Sequence, residues 1–362
     1  MATIAPALLH LTSHQTGSGT PSYLKIKKAA LSTEVLPHAD RRFQSMDYNE
    51  IIVMTAPKLP IWMAQLVSSK LIETNCLAPG ILLTSGSVPT RYTNPLLPEI
   101  HHKRYFLDLG LTGRTSKDTA IHWIQTLMEF SAVNHMAVRF IPLVFLWNRS
   151  PKRKLYPFWY GSKVHSRHKL ISTGQPLVLE PGVTINPPSA DRIRNMQLRR
   201  WNQESRVITG DRKVSMRKMV ETIEKEPLLH RQLEVIATQG KDTFATLFTR
   251  VSAYVREIAA DYTNRAPACW DRVIKPFLRR NFTALEFDHE GLDKLRVLLR
   301  NRKRVILIPS HRSHMDYVLI SYAIYKQGLA CPLVAAGQNL AFWPMGYFFR
   351  KTGAFFIRRT FK

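Results

Sequence analysis

The spacing of apolar and polar residues divides the chain into three parts. In the first, the apolar runs 104–109 and 138–147 predict buried strands, and residues 118–132 between them show helical spacing. This order predicts a β–α–β arrangement. In the middle part, apolar residues recur three and four positions apart, which predicts helices over 212–226, 228–236, 244–261, 270–280 and 291–301.

After about residue 303 the pattern changes to short apolar runs separated by Gly and Pro, which is typical of α/β proteins. Residues 304–309 are predicted to form a buried strand and residues 318–325 an apolar helix. We therefore predict an α/β fold class with three regions. They are an unassigned N-terminal region (1–100), an α/β and helical region (101–240) and part of an α/β domain (241–362). The first fifty residues are predicted to be loosely ordered.

Composition and charge narrow the choice of partners. The chain has 362 residues, of which 45% are hydrophobic, so it can bury a sizeable core and is not a disordered chain. Lys plus Arg number 52 against 26 for Asp plus Glu, a net charge of +26. Such an excess favours nucleic acid, an anionic membrane surface or phosphorylated small molecules. The three cysteines form no CxxC pair, so neither a disulfide framework nor a cysteine zinc site is expected.

No long apolar stretch is free of charge. The best candidate, residues 51–72, is interrupted by two prolines and two lysines, so no membrane-spanning segment is predicted. Binding to a membrane surface remains open.

Residues 149–169, the basic segment, carry seven Lys or Arg and no acid, interleaved with four aromatic residues. Cations beside aromatic rings suit an anionic membrane interface. The same composition suits single-stranded nucleic acid, whose bases stack on the rings. An ordinary basic loop whose aromatics pack on the domain is a third interpretation, and composition does not decide among the three.

Candidate chemistry is concentrated in the segment Ser310-His-Arg-Ser-His-Met-Asp-Tyr317. On a regular helix His311 and Asp316 would lie about 140° apart around the axis and could not touch. Ser313 followed three positions later by an acid resembles a capping box, with Ser313 as the N-cap. His311 would then lie in the turn before the helix, free to fold back toward Asp316. An imidazole oriented by a carboxylate is what a general base requires.

Three alternatives stay open at this point. Asp316 can instead serve only the helix dipole, and the two residues can form an ordinary hydrogen-bonded pair. His314 competes as the base, although an N-cap at Ser313 would place it at the first helical position, pointing elsewhere.

The same segment resembles the first signature block of the glycerolipid acyltransferases, and is most similar to that of the bacterial membrane-bound glycerol-3-phosphate acyltransferases. The family's second block and the residues leading into it resemble Ala335-Ala-Gly-Gln-Asn-Leu340, Phe342-Trp-Pro344 and Gly353-Ala-Phe-Phe-Ile-Arg-Arg-Thr-Phe-Lys362. The resemblance is strong over about 303–362 and diffuse back to about 130. It implies the N-terminal part of an acyltransferase-type α/β domain, preceded by a mixed, largely helical region.

The resemblance implies acyl transfer from acyl-CoA or acyl carrier protein to the 1-hydroxyl of glycerol 3-phosphate, the first step of phospholipid synthesis. His311 would be the base, Asp316 would hold its tautomer, and Arg358 would bind the phosphate, which a guanidinium grips with two parallel hydrogen bonds. Arg312 and the Gly337 turn are weaker substrate-binding candidates. Neither a metal nor a cofactor is implied. The implied location is peripheral, on the cytoplasmic face of the inner membrane, with anionic lipids as partners.

The family pattern continues with a third block, acidic-Gly-x-Arg-Ser, and a hydrophobic fourth block. The chain as written ends at Lys362, and Glu290-Gly291 precedes the first block and cannot replace the third. We therefore expect a fragment that is inactive and poorly soluble by itself. Alternative functions are a catalytically incomplete membrane-associated remnant and a basic nucleic-acid-binding protein. Nucleic acid is not favoured, because no recognisable nucleic-acid-binding motif accompanies the charge.

The basic segment generates a prediction about lipid binding. Replacing Lys152, Arg153 and Lys154 together with Gln should weaken binding to anionic vesicles at low salt, because each cation contributes about 1 kcal/mol at such a surface. Vesicle sedimentation measures this, with neutral vesicles as the control. Equal sedimentation of both proteins would identify the segment as an ordinary basic loop.

Overall fold

The described residues fall into two units of mixed α/β structure, which confirms the predicted fold class. The computed structural model describes residues 33–45, 50–57, 61–73, 81–83, 90–91, 104–110, 114–146, 169–183, 186–210, 216–240, 242–263, 266–283, 285–310 and 316–358. The first unit comprises residues 1–149, 153–208 and 295–303, and the second comprises residues 150–152, 209–294 and 304–362.

The sheet of the first unit is built around strand β2 (Ile51–Ala56), which pairs in parallel with β5 (Arg104–Asp108) and β6 (Val138–Leu146). All six residues of β2 are buried, as expected for a parallel strand covered on both faces. The other strands are β1 (Thr33–Val35), β3 (Ile81–Leu83), β4 (Thr90–Arg91), β7 (Lys169–Thr173) and β8 (Leu177–Leu179). Within the described residues the strand order is β1-β7-β6-β2-β5-β3-β4, and β8 also pairs with β6.

Four helices of the first unit are α1 (Pro37–Gln44), α2 (Ile61–Glu73), α3 (Arg114–Asn134) and α4 (Pro187–Thr209). Helix α3 places Trp123, Ile124 and Leu127 in the core formed with β2, β5 and β6. The two predicted strands and the predicted helix between them are therefore confirmed. The first fifty residues were predicted to be loosely ordered. The part of them that the structure describes is ordered at 33–45, where β1 pairs with β7 and α1 buries Phe43.

A fully buried carboxylate, Glu204 of α4, connects four elements of this unit. Its Oε1 accepts hydrogen bonds from Ser172 Oγ at 2.9 Å and Arg296 Nη1 at 2.7 Å, and lies 3.1 Å from His38 Nε2. Its Oε2 accepts from Arg300 Nε at 2.9 Å and Nη2 at 2.6 Å. Burial alone would raise the pKa of Glu204, but the hydrogen bond from His38 and the charges of the two arginines lower it.

The second unit is largely helical before residue 303 and α/β after it, as predicted. Its helices are α5 (Met216–Glu224), α6 (Pro227–Gln239), α7 (Phe244–Ile258), α8 (Ala266–Asn281), α9 (His289–Arg300, whose last turns belong to the first unit), α10 (Asp316–Lys326) and α11 (Met345–Thr352). Strands β9 (Val334–Gly337) and β10 (Ala354–Ile357) pair in parallel, and a 3₁₀ turn (Gln338–Leu340) and α11 connect them.

The region boundaries predicted at residues 100 and 240 fall inside these units. Strand β2 pairs with β5 across the boundary predicted at residue 100, and α6 packs against α7 across the one predicted at residue 240.

The buried strand predicted over 304–309 is wrong. These residues form no strand, and Ile306 and Ile308 are 85% and 89% exposed. An apolar run becomes a strand only where its backbone groups pair with a neighbour, and within the described residues β9 pairs only with β10. The basic segment lies outside the described residues except for Lys169, which begins β7.

A search of the described helices finds none that is both long enough and apolar enough to cross a bilayer.

The environment of His38 predicts acid sensitivity. Burial lowers the pKa of His38 from 6.5 to about 4, so the folded protein holds a neutral imidazole where the unfolded chain would protonate. Stability should therefore fall as the pH drops from 6.5 toward 4, by about 3 kcal/mol from this residue. Denaturant unfolding at pH 7 and pH 4.5 should show a smaller loss for His38→Gln, which keeps a donor but cannot titrate.

His122→Gln, at an exposed histidine on α3, is the matched control and should lose stability between the two pH values as the unsubstituted protein does. A loss that is the same for His38→Gln as for the unsubstituted protein would contradict the assignment.

Candidate functional site

The carboxyl ends of β9 and β10 bring two predicted site residues to one edge of the second unit. The parallel register places Gly337 opposite Ile357, and Arg358 follows Ile357 directly. In α/β sheets, ligands bind beyond the carboxyl ends of parallel strands. Gly337 was predicted to lie in a turn. It is instead the last residue of β9, extended at φ −70° and ψ 147°, and the turn begins at Gln338.

Arg358, the predicted phosphate ligand, is paired with a carboxylate of helix α7. Its Nε and Nη2 donate to Glu257 Oε1 at 2.9 Å and Oε2 at 2.6 Å, and its guanidinium lies 5.1 Å from the centre of the Tyr254 ring. These hydrogen bonds raise the pKa of Arg358 and lower that of Glu257. The two side chains remain 33% and 29% exposed, so the pair lies at the surface.

A second arginine fixes the end of α7 from which Glu257 projects. Arg350 of α11 donates from Nη1 to the carbonyls of Ala259 at 2.8 Å and Arg256 at 3.3 Å, and from Nη2 to that of Glu257. The last carbonyls of a helix lack partners within the helix, and a cation there also interacts favourably with the helix dipole. The Arg350 guanidinium lies 4.7 Å from the centre of the Phe356 ring of β10.

A cavity that is partly open to solvent lies among α8, α10, α11 and the two strands. Its walls are mostly aromatic and aliphatic. The rings of Trp270 and Phe349 stack 6.0 Å apart, and Tyr317 meets Phe349 edge-on at 6.0 Å. The buried Trp270 Nε1 has no hydrogen-bond partner in the part of the chain that the structure describes.

The cavity adjoins the first signature block. Asp316 lies in the first turn of α10, as predicted, and its neighbour Tyr317 lines the cavity together with Ala336, the neighbour of Gly337. His311, Arg312 and the competing His314 lie outside the described residues, as does Ser313, the predicted N-cap. The pairing of His311 with Asp316 therefore stays a prediction.

Residues 287–362, which contain both signature blocks, match the acyltransferase family model. These residues, called the acyltransferase segment below, are similar to that family. The acyltransferase segment includes α10, both strands, the 3₁₀ turn and α11.

Curated relatives align with about four fifths of the chain. It is 28% identical to a glycerol-3-phosphate acyltransferase of Actinobacillus succinogenes and 30% identical to one of Haemophilus ducreyi. These alignments cover 80% and 81% of this chain and 37% of each relative. A third such protein, from Pseudoalteromonas atlantica, is 46% identical over 125 residues, 34% of this chain and 15% of the relative.

The predicted family resemblance is thus confirmed, and it extends over more of the chain than the signature blocks indicated. The chain spans about 37% of the length of the first two of these relatives.

Sequence reasoning missed Glu257 and Arg350. Glu257 interrupts no pattern on the amphipathic helix α7, and Arg350 is one of many cations in a chain with 52 of them. Only the folded arrangement distinguishes the two.

The contacts of Arg350 predict a structural role. Arg350→Ala should lower the free energy of unfolding of the second unit by about 2 kcal/mol, because hydrogen bonds from a charged donor and the packing on Phe356 are lost. Arg217→Ala, which removes an exposed pair within α5, is the control and should change stability by no more than about 0.5 kcal/mol. Denaturant unfolding compares the two, and equal effects would show that Arg350 does not fix α7.

Proposed function

We propose that the protein to which this chain belongs transfers an acyl group to the 1-hydroxyl of glycerol 3-phosphate and so forms lysophosphatidic acid. The observation that carries the proposal is the similarity to proteins named glycerol-3-phosphate acyltransferase over 80% of the chain, together with the family match of residues 287–362. The acyl donor is a thioester, either acyl-CoA or acyl carrier protein. No metal and no cofactor take part in the proposed reaction.

In the proposed mechanism His311 removes the proton of the 1-hydroxyl while Asp316 orients the imidazole. The oxygen attacks the thioester carbonyl, the new C–O bond forms, and the C–S bond breaks as the tetrahedral intermediate collapses. The thiolate leaves and takes the proton from His311, which returns the base to its starting state. The position of Asp316 in the first turn of α10 is consistent with this role.

The apolar cavity supports a place for the acyl chain. Its walls are mostly aromatic and aliphatic, as in most small-molecule sites, and Tyr317 on its wall is adjacent to Asp316. Arg358 binds the phosphate in this proposal, with Arg312 and the backbone at Gly337 as further contacts. The high positive charge favours attraction of both the phosphate and anionic lipids. We place the protein peripherally on the cytoplasmic face of the inner membrane.

The assignment of the base is tested by two single substitutions in the complete protein that contains this chain. His311→Ala should reduce transfer of a labelled acyl group to glycerol 3-phosphate by about 10²–10⁴-fold, the usual contribution of a general base. His314→Ala is the matched control and should retain most of the activity. Equal losses in two folded variants would refute His311 as the sole base.

A further inference from the structure

The pairing of Arg358 with Glu257 occupies one edge of the guanidinium and leaves the other available. The carboxylate accepts from Nε and Nη2, and no hydrogen bond engages Nη1 in the part of the chain that the structure describes. A guanidinium is a planar fork with two edges, and the edge formed by Nη1 and Nη2 matches two oxygens of a phosphate. A phosphate can therefore bind Arg358 without displacing Glu257.

Several contacts hold Glu257 in one orientation. Its Oε1 also accepts a hydrogen bond from Gln338 Nε2 at 2.5 Å, which connects α7 to the residue that follows β9. The end of α7 is in turn held by Arg350. Tyr254, one turn before Glu257 on the same helix, covers a face of the Arg358 guanidinium. An arginine held on one edge and one face has few other orientations to adopt.

We propose that Glu257 is a positioning residue that holds Arg358 with its Nη1 edge ready for the phosphate of glycerol 3-phosphate. The inference rests on the proposed function, since it takes Arg358 as the phosphate ligand. Pre-ordering a long side chain removes an entropic cost from binding. A carboxylate near the phosphate also repels it, but both side chains of the pair are about one-third exposed, so water screens that repulsion.

The orientation effect and the repulsion make opposite predictions for Glu257→Gln in the complete protein. If Glu257 positions Arg358, the KM for glycerol 3-phosphate should rise about tenfold, because a neutral amide cannot hold both guanidinium nitrogens as a carboxylate does. The kcat and the KM for the acyl donor should change by less than about twofold, since neither depends on the phosphate contact. Glu257→Asp should restore part of the loss because it keeps the charge.

Asp242→Asn is the matched control. Asp242 forms a similar paired contact with Arg250 of the same helix, at 2.6 and 3.3 Å, but this pair is exposed and lies near the opposite end of α7. Its removal should leave all three kinetic constants unchanged. An equal rise in the KM for glycerol 3-phosphate in Glu257→Gln and Asp242→Asn would show that both changes act by destabilising the helix. That result would overturn the proposal.

Binding measured without turnover separates this inference from the proposed function. Isothermal titration of glycerol 3-phosphate should show weaker binding to Glu257→Gln and to Arg358→Met. Weak binding to Arg358→Met with unchanged or tighter binding to Glu257→Gln would overturn the positioning role and leave the phosphate site intact. Unchanged binding to Arg358→Met would overturn both. A protein that binds glycerol 3-phosphate in this pattern but transfers no acyl group would support the inference while the proposed reaction fails.

Discussion

The first unit depends on the neutralisation of one buried carboxylate. Glu204 is completely removed from water, so its charge has to be balanced by partners inside the protein. The charges of two arginines of α9, with hydrogen bonds from the histidine of α1 and the serine of β7, supply that balance from three separate elements. Each partner fixes its element relative to α4, because loss of one partner from a buried ionic cluster costs about 3–5 kcal/mol.

The pair formed by Glu257 and Arg358 has the same chemistry in a different environment. It is about one-third exposed, so its strength is reduced by water and its loss would not unfold the second unit. A carboxylate–arginine pair that contributes little to stability, yet is further held by Gln338 and Tyr254, is better explained by orientation of the arginine than by folding. The two groups therefore differ in burial: the cluster around Glu204 is buried and structural, whereas the pair of Glu257 and Arg358, proposed to serve a ligand, is partly exposed.

The sequence predicted those elements whose formation depends on residues close together in the chain. The apolar runs of β5 and β6, the spacing of α3 and the acid in the first turn of α10 all appear in the structure, because each depends on neighbouring residues. The central strand β2 was missed because its continuous apolar run resembled part of a membrane segment. The run 304–309 failed as a strand because pairing is not encoded in the run itself. Glu257 and Arg358 are separated by 101 positions, and Glu204 and Arg300 by 96, so no periodicity reports them.

The pair of parallel strands β9 and β10 in the acyltransferase segment has an apolar side and a polar end. Val334 and Ala336 of β9 and Ala354 of β10 line the cavity, whereas the residues just after each strand, Gln338 and Arg358, meet at Glu257. Acyl transfer to glycerol 3-phosphate has to bring an apolar chain and a doubly charged phosphate to one reacting carbonyl. Because one pair of parallel strands supports both the cavity wall and the polar end, the distance between these two surfaces is fixed. In the proposed function, that fixed distance positions the hydroxyl against the thioester, and orientation of this kind can supply about 7–11 kcal/mol of a barrier reduction.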